Sequence, residues 1–299
     1  MTYEPATEYG ERPRRPLEVG MYERPGRSNQ DRTCIYTHAW WQKQPSNHFQ
    51  VDFGAAVIDG HSKYLPQDPT QNEYLRQQGA LAADWISKNF GRIFLETSWE
   101  TGIKDPYALG KLVYEKIHQY VSKNFPPDVG AVGTTVLRLS DPEQGVGYLG
   151  MYLGDPTFFR KKQGENWNWP TGVQPQVYEP QVARMLGISV SQAWGDSRIR
   201  GGDYHTAPDV FFMPGTGREL LLGSDVVAQT FQNPAEIDKY LLNSPGGGSI
   251  DVNAAVARVG AEVLSRETRR YQKEQDLQNR GHLSYSPTPP DDISIVWVK

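Results

Sequence analysis

The sequence has one cysteine, no long apolar run and little excess charge. Cys34, being alone, rules out an internal disulfide and a cysteine-based zinc cluster. The longest apolar runs, such as residues 53–58, are far shorter than the roughly 20 residues that a membrane-spanning helix needs. With 31 Lys and Arg against 35 Asp and Glu, the net charge is −4, and no long basic run is available to follow a phosphate backbone. We therefore expect neither a membrane nor a nucleic acid as a partner.

The N-terminal segment, residues 1–20, is rich in Pro, Glu and Arg and has few large apolar side chains. Such a segment buries too little apolar surface to offset the entropy lost on ordering. We predict a disordered tail over 1–20 and one domain over 21–299. The segment lacks the apolar core of a secretory signal and is too acidic for a transit peptide, which favours a cytoplasmic or nuclear location.

The pattern of apolar residues predicts a mixture of strands and helices. Runs enriched in β-branched and aromatic residues predict strands at 33–37, 49–58, 134–139, 147–153, 219–223 and 293–298. Amphipathic stripes predict helices at 72–94, 105–124 and 251–279, the last with a polar, solvated second half. The strands are not regularly separated by helices, so antiparallel sheets are favoured over a parallel doubly wound fold.

Several predicted strands have an aspartate at one end. Asp59 follows GAAVI, Asp155 follows GYLGMYLG, and Asp225 follows ELLLGS. Asp291 and Asp292 precede ISIVWV. A carboxylate at the mouth of a buried strand is costly to desolvate unless it is paired, hydrogen-bonded or bound to a metal. Because antiparallel strands place the end of one beside the start of the next, these carboxylates can meet at one sheet edge.

Such an all-oxygen cluster suits Mg²⁺ or Mn²⁺, and the lack of cysteine and of paired histidines disfavours zinc. A second interpretation is that each aspartate caps a turn, since Asp-Gly and Gly-Asp are common turn dipeptides. His61 lies two residues after Asp59, so its side chain is on the same side if the strand continues. Its role is either that of a general acid or a structural one. Arg24 and Arg27 either hold a phosphate or lie on a solvated surface.

Seven short motifs then occur in order along the chain. They are SNQD (28–31), VIDGH (57–61), GTT (133–135), LGD (153–155), SQAWGD (191–196), GSD (223–225) and DDIS (291–294). In this order they resemble the N-E/Q-D, D-G-H, G-T-T/S, G-D-S, S-R-A-x-G-D, A-S-D-G and D-N-x-T/S elements of the metal-dependent serine/threonine protein phosphatases of type 2C, the PPM family. The resemblance runs from about residue 27 to the C-terminus.

The resemblance implies an α+β fold, a four-layer α-β-β-α sandwich of two antiparallel sheets flanked by antiparallel helices. It also implies a binuclear Mn²⁺ or Mg²⁺ site at one end of that sandwich. The metal ligands that it implies are Asp59, the Gly60 carbonyl, Asp225 and Asp291, with Asp155 available for a weaker third ion. It further implies that Asp31 orients the attacking water, that His61 is the general acid and that Arg27 clamps the phosphate.

Some positions depart from the family pattern. They are Ser62 after D-G-H, Pro156 in G-D-S, Gln192 in S-R-A, Val226 in S-D-G, and Gln229 where the family often has another Asp. Gln229 carries no charge to offset a third cation. Arg27 falls four residues before Asp31 rather than the family's five, so Arg24 stays an alternative phosphate clamp.

The function that this pattern favours is a protein serine/threonine phosphatase that acts on phosphorylated proteins as a monomer. Two alternatives stay open. The altered flanking residues suit a pseudophosphatase that keeps the fold as a scaffold for a binding partner. A metal-dependent hydrolase of small phosphoesters would share the same site and differ only in its substrate.

Overall fold

A computed structural model describes residues 17–26, 29–36, 50–62, 67–141, 145–162, 164–170, 173, 175–177, 193–195, 209–215, 218–242, 250–283 and 286–299. In chain order the elements are β1 (Val19–Arg24), β2 (Asp31–Tyr36), β3 (Gln50–Ser62), α1 (Pro69–Thr101), α2 (Pro106–Asn124), β4 (Val129–Asp141), β5 (Gly145–Leu153), β6 (Thr157–Lys162), β7 (Asp209–Pro214), β8 (Arg218–Gly223), α3 (Asp225–Thr230), α4 (Asp238–Leu241), α5 (Val252–Asn279) and β9 (Ile293–Val298). One 3₁₀ turn, Pro234–Ile237, precedes α4.

The strands form two sheets in which every neighbouring pair is antiparallel. The first sheet has the order β1-β9-β8-β6, and the second has the order β2-β3-β4-β5-β7. The predicted α+β class and antiparallel sheets are confirmed.

Side chains alternate between two cores along each central strand, as the two-residue period of a strand requires. In β9, Ile293, Ile295 and Trp297 pack against α5 and its neighbours, whereas Val296 and Val298 face the second sheet. In β3, Ile58 packs against α1 and α2 and Val57 faces the first sheet. The strands are therefore covered on both faces, and the layers follow the predicted α-β-β-α order.

The predicted helices are confirmed, with aspartates at their N-termini. Asp105 accepts hydrogen bonds from the backbone amides of Tyr107 and Ala108, and Asp251 does the same for Asn253 and Ala254. These side chains satisfy amides that have no partner within the helix. The first helix is longer than predicted, because Asp68 caps it at Pro69 and it ends only at Thr101. Among the described residues, no helix has the length and hydropathy to cross a lipid bilayer.

Three strands are missing from the sequence prediction. They are β1, β6 and β7, which mix charged residues with apolar ones and lack a clear alternating pattern. The strand β1 begins at Val19, two residues before the predicted start of the domain, because it pairs with the C-terminal strand β9. The other residues of the predicted tail, 1–16, lie outside the described residues.

The two sheets bring specific strand ends to the same end of the sandwich. Asp31 at the start of β2 lies opposite Asp59 near the end of β3. In the other sheet, Gly223 at the end of β8 lies opposite Ile295 near the start of β9 and opposite Thr157 at the start of β6. This end of the sandwich, called the acidic end below, holds the aspartates that the sequence singled out.

Candidate active site and metal centre

Asp31 and Asp59 form a pair of carboxyls across neighbouring strands. They are opposite each other in the β2–β3 register, and Asp31 is 5% exposed. Burial raises the pKa of both well above the usual value, and the charges of Asp225 and Asp291 raise it further. Within the part of the chain that the structure describes, Asp31 Oδ2 has no hydrogen-bond partner. The two carboxyl groups of Asp31 and Asp59 are therefore stabilised by a proton or a cation between them.

The strand β3 extends beyond the predicted end at residue 58. It continues to Ser62, so Asp59 and His61 lie two residues apart on one face of a strand. His61 pairs with Gly130 of β4, and its imidazole lies over that glycine, where an added Cβ would be 3.0 Å from Nε2. Burial raises the pKa of Asp155, and an opposing electrostatic contribution from His61 places the two side chains in one neighbourhood.

Gly60 lies where α1 crosses β3. A Cβ added to Gly60 would be 2.1 Å from the carbonyl oxygen of Gly79, so a side chain here would push α1 away from the sheet. The Gly60 amide donates to the carbonyl of Gln30 at 3.3 Å. Close packing against α1 therefore requires glycine at this position, independently of the predicted role of its carbonyl as a metal ligand.

Asp225 is the first residue of α3 and is separated from the end of β8 by one residue, Ser224. Burial raises its pKa to about 7, with further contributions from the charges of Asp155 and Asp291. Gln229, one helical turn later, donates its side-chain amide to Asp225 Oδ2 at 2.6 Å. The residue that departs from the family pattern thus contacts a predicted metal ligand and holds one of its two oxygens.

Asp291 and Asp292 precede β9 and have different surroundings. Asp291 is exposed, and its Oδ1 accepts a hydrogen bond from the amide of Asp292 at 2.9 Å. Asp292 is buried at 2% exposure and accepts hydrogen bonds from backbone amides before and at the start of β2. The sequence pattern assigned no separate role to Asp292, and the missed signal is a second acid where the D-N-x-T/S motif has Asn.

Asp155 lies in the turn between β5 and β6. Gly154 has φ of +87°, a left-handed conformation that favours glycine, and its amide donates to Gln176 Oε1 at 2.8 Å. Burial raises the pKa of Asp155. Since its charge acts on Asp225, Asp155 belongs to the same acidic end.

Of the two arginines predicted to bind the phosphate, only one lies among the described residues. Arg27, the predicted phosphate clamp, lies outside the described residues. Arg24, the alternative, is the last residue of β1 and lies opposite Ile293, two positions from Asp291. The other predicted site residues, Asp31, Asp59, Gly60, His61, Asp155, Asp225 and Asp291, are all at the acidic end.

The chemistry of this donor set fits a hard divalent cation. It consists of carboxylates and a backbone carbonyl, and it includes Asp31 Oδ2, which has no hydrogen-bond partner among the described residues. The charges of Asp225 and Asp291 add to the effect of burial in raising the pKa of Asp31 and Asp59. As the side chains stand, no three acids, histidines or cysteines among the described residues form a ready metal-binding group. Asp31, Asp59 and Asp225 are thus neighbours whose mutual repulsion a cation would relieve.

Comparison with solved structures supports the assignment of the fold. The photosystem II phosphatase PBCP matches with a TM-score of 0.59 and 14% identity over 95% of this chain and 98% of its own. The PPM Ser-Thr phosphatase MsPP from Mycobacterium smegmatis matches at 0.52 and 17% over 94% and 97%. A serine-threonine phosphatase 2C from Toxoplasma gondii matches at 0.54 and 12% over 94% of each chain. Scans of protein-family models and of curated proteins give no match.

These matches span nearly the whole chain and concern proteins of one fold. The chain therefore has the fold of the type 2C (PPM) phosphatases, as the ordered motifs indicated. At 12 to 17% identity the likeness concerns the fold. The chemistry has to be argued from the residues at the acidic end.

Proposed function

We propose that this chain is a metal-dependent protein serine/threonine phosphatase that hydrolyses phosphoserine and phosphothreonine in phosphorylated proteins. The observation that carries the proposal is the convergence of four aspartates at one end of a PPM fold, where the charges of Asp225 and Asp291 add to the effect of burial in raising the pKa of Asp31 and Asp59. We further propose that it acts as a monomer in the cytoplasm or nucleus.

In this proposal Asp59, the Gly60 carbonyl, Asp225 and Asp291 hold two Mn²⁺ or Mg²⁺ ions. A bound pair of such ions lowers the pKa of water and stabilises the charge on a transferring phosphoryl group. Asp155 is the ligand available to a third ion, while Gln229 adds an amide but no charge to that side of the site.

The remaining groups move protons or hold the substrate. Asp31 orients the attacking water through a carboxylate oxygen that has no hydrogen-bond partner among the described residues. His61, on the same face of β3 as Asp59, donates a proton to the leaving serine or threonine oxygen. Arg27 binds the phosphate oxygens through its planar guanidinium, with Arg24 as the alternative.

The experiment measures hydrolysis of p-nitrophenyl phosphate and of a phosphothreonine peptide with Mn²⁺, Mg²⁺ or EDTA. We expect activity with a metal and none with EDTA. We expect Asp225→Asn to lower kcat/KM by at least about 100-fold, equivalent to about 2.7 kcal/mol of transition-state stabilisation. Asp251→Asn is the matched control, because asparagine caps a helix as well as aspartate does and the charge change is the same.

A protein scaffold without activity is the second candidate. It is favoured by the hydrogen bond from Gln229 to Asp225 and by the lack of a ready metal-binding group among the described residues. Calorimetric titration with Mn²⁺ separates the two functions, since a scaffold binds the ion weakly or not at all. A folded wild-type protein that is inert with every metal would reject the phosphatase and favour the scaffold.

Small phosphoesters are the alternative substrates at the same site. Comparing kcat/KM for phosphopeptides with kcat/KM for small phosphorylated metabolites tests this. A clear preference for the metabolites would overturn the protein substrate class while leaving the reaction type unchanged.

A further inference from the structure

The segment that joins β1 to β2 directs its backbone amides at one buried carboxylate. Asp292 Oδ1 accepts hydrogen bonds from the amides of Gly26 and Asn29, the latter at 2.9 Å. Asp292 Oδ2 accepts from the amides of Gln30 and Asp31, the latter at 3.2 Å. Four donors from one segment thus meet a side chain more than 260 positions away in the sequence.

The backbone of this segment is shaped around that carboxylate. Asn29 has φ of +50°, a left-handed conformation that is uncommon for a residue with a side chain. A turn of this kind lets successive amides converge on an anion. Gly26 packs directly on the chain before β9, where an added Cβ would lie 2.3 Å from the carbonyl carbon of Asp291.

A carboxylate suits these four donors better than an amide does. Asp292 offers two acceptor oxygens, each of which receives two amides. Asparagine, the residue of the D-N-x-T/S motif, has one acceptor oxygen and would turn an NH₂ group toward the other two amides. The carboxylate of Asp292 therefore matches the arrangement of the four backbone amides in this chain.

Asp292 also contacts the other acids of the site. Its amide donates to Asp291 Oδ1 at 2.9 Å, and its carbonyl accepts from the Ser224 hydroxyl at 3.3 Å. Ser224 directly precedes Asp225. One residue thus connects the segment that carries Asp31 with the segments that carry Asp225 and Asp291.

We infer that Asp292 is the positioning residue of the acidic end, whose carboxylate holds Gly26 and residues 29–31 in place and so fixes Asp31 beside Asp59. The effect on the reaction rests on the proposed function. The anchoring itself is a property of the folded chain and can be measured without activity.

The first measurement is amide hydrogen exchange in the full-length, metal-free protein, comparing wild type with Asp292→Asn. Asparagine keeps one acceptor oxygen, so two amides, either those of Gly26 and Asn29 or those of Gln30 and Asp31, lose their acceptor. We expect that pair to exchange at least about tenfold faster in the variant. The matched control is Asp238→Asn. Asp238 accepts hydrogen bonds from Lys161 and Trp167 at the opposite end of β6, so its loss should leave these four amides unchanged. Unchanged exchange in Asp292→Asn would overturn the inference.

The second measurement is the kinetics of p-nitrophenyl phosphate hydrolysis with saturating Mn²⁺. A misplaced Asp31 should lower kcat by about tenfold or more with little change in KM, since the substrate's own contacts are kept. If Asp238→Asn loses kcat to the same extent at an equal fall in Tm, the loss reflects general stability and the positioning role is rejected.

A second variant covers the case in which Asp292→Asn does not fold. Gly26→Ala keeps every side chain of the site but places a methyl group against the backbone of Asp291, which should lift the segment from Asp292. Faster exchange at Asn29–Asp31 supports the inference, and wild-type exchange rejects it. An inactive wild type would reject the proposed function alone, because hydrogen exchange still decides the anchoring.

Discussion

The two ends of the sandwich differ in whether their acidic residues are paired with cationic side chains. At the end away from the site, Asp52 binds Arg138 through two hydrogen bonds of 2.6 and 2.7 Å, and Asp238 binds Lys161 at 2.7 Å. At the acidic end, no arginine or lysine among the described residues forms an ion pair with Asp31, Asp59 or Asp225.

The difference concerns how the negative charge is compensated at each end. A buried acid beside a cationic side chain is compensated within the chain, whereas acids that repel one another destabilise the fold. A fold keeps such acids when something outside the chain, here a divalent cation in our proposal, supplies the missing charge.

The largest expected effect comes from removing one acid at the acidic end. We expect Asp59→Asn to lower kcat/KM with Mn²⁺ by at least about 100-fold, through lost transition-state stabilisation. The same change should raise the Tm of the metal-free protein, because it removes one of the repelling charges. Phosphatase assays and thermal melts in EDTA measure the two effects. A lower Tm together with unchanged activity would contradict the comparison of the two ends.

The corresponding change at the other end should have the opposite signature. Asp52→Asn leaves the guanidinium of Arg138 without its anion, so we expect the free energy of unfolding to fall by about 2 to 3 kcal/mol. The activity should stay within about twofold of wild type, since the pair lies far from the site. Urea denaturation measures the first value. The control Glu96→Gln removes an exposed pair with Arg92 and should cost about 0.5 kcal/mol or less.

The pH dependence of stability sharpens the comparison further. Asp31, Asp59 and Asp225 have raised pKa values in the folded chain, and that of Asp225 is about 7 against an ordinary 3.8. The folded state therefore binds protons that the unfolded chain has lost, and for Asp225 this stabilisation disappears as the pH rises from about 4 through 7.

We expect the Tm of metal-free wild type to fall over that range by more than the Tm of Asp225→Asn, which lacks one of the titrating groups. Each kcal/mol corresponds to about 2 to 4 °C for a domain of this size. Saturating Mn²⁺ should flatten the wild-type curve. Identical slopes for wild type and variant in EDTA would show that Asp225 does not titrate in this window.

The smallest expected effect concerns Gln229. Replacing it by aspartate removes the amide that donates to Asp225 and adds a carboxylate beside it. We expect Gln229→Asp to create an additional weak Mn²⁺ site, with a dissociation constant on the order of 10⁻³ M. Calorimetry measures the stoichiometry, and Gln229→Ala, which removes the amide without adding charge, should keep the wild-type number of ions.

Much of the fold could be predicted from the sequence because the central strands have strong local patterns. The segments around β3, β8 and β9 are rich in apolar residues, and Asp105 and Asp251 mark helix starts. The strands β1, β6 and β7 escaped prediction because they are held mainly by pairing with distant partners such as β9 and β8. Local propensity carries little of that information.

The candidate site divides in the same way. The aspartates near strand ends and the order of the seven motifs were visible in the sequence, and they singled out Asp59, Asp225 and Asp291. The role of Asp292 and the contact of Gln229 with Asp225 were not visible, since each depends on how separate segments meet. The roles of the site residues in catalysis and metal binding stay predictions.

The sequence by itself determined which ligands this protein has available for a metal, namely oxygen ligands and no cluster of thiols. It also determined the alternation of side chains along the strands that builds two sheets covered on both faces. Only the tertiary structure decided that Asp31 faces Asp59, that β3 continues through His61, and that Asp292 receives four amides from residues before and at the start of β2. The physical reason is that side-chain chemistry and periodicity are local properties of a chain. Burial, repulsion between charges and hydrogen bonding to distant amides depend on distances that only the packed fold sets.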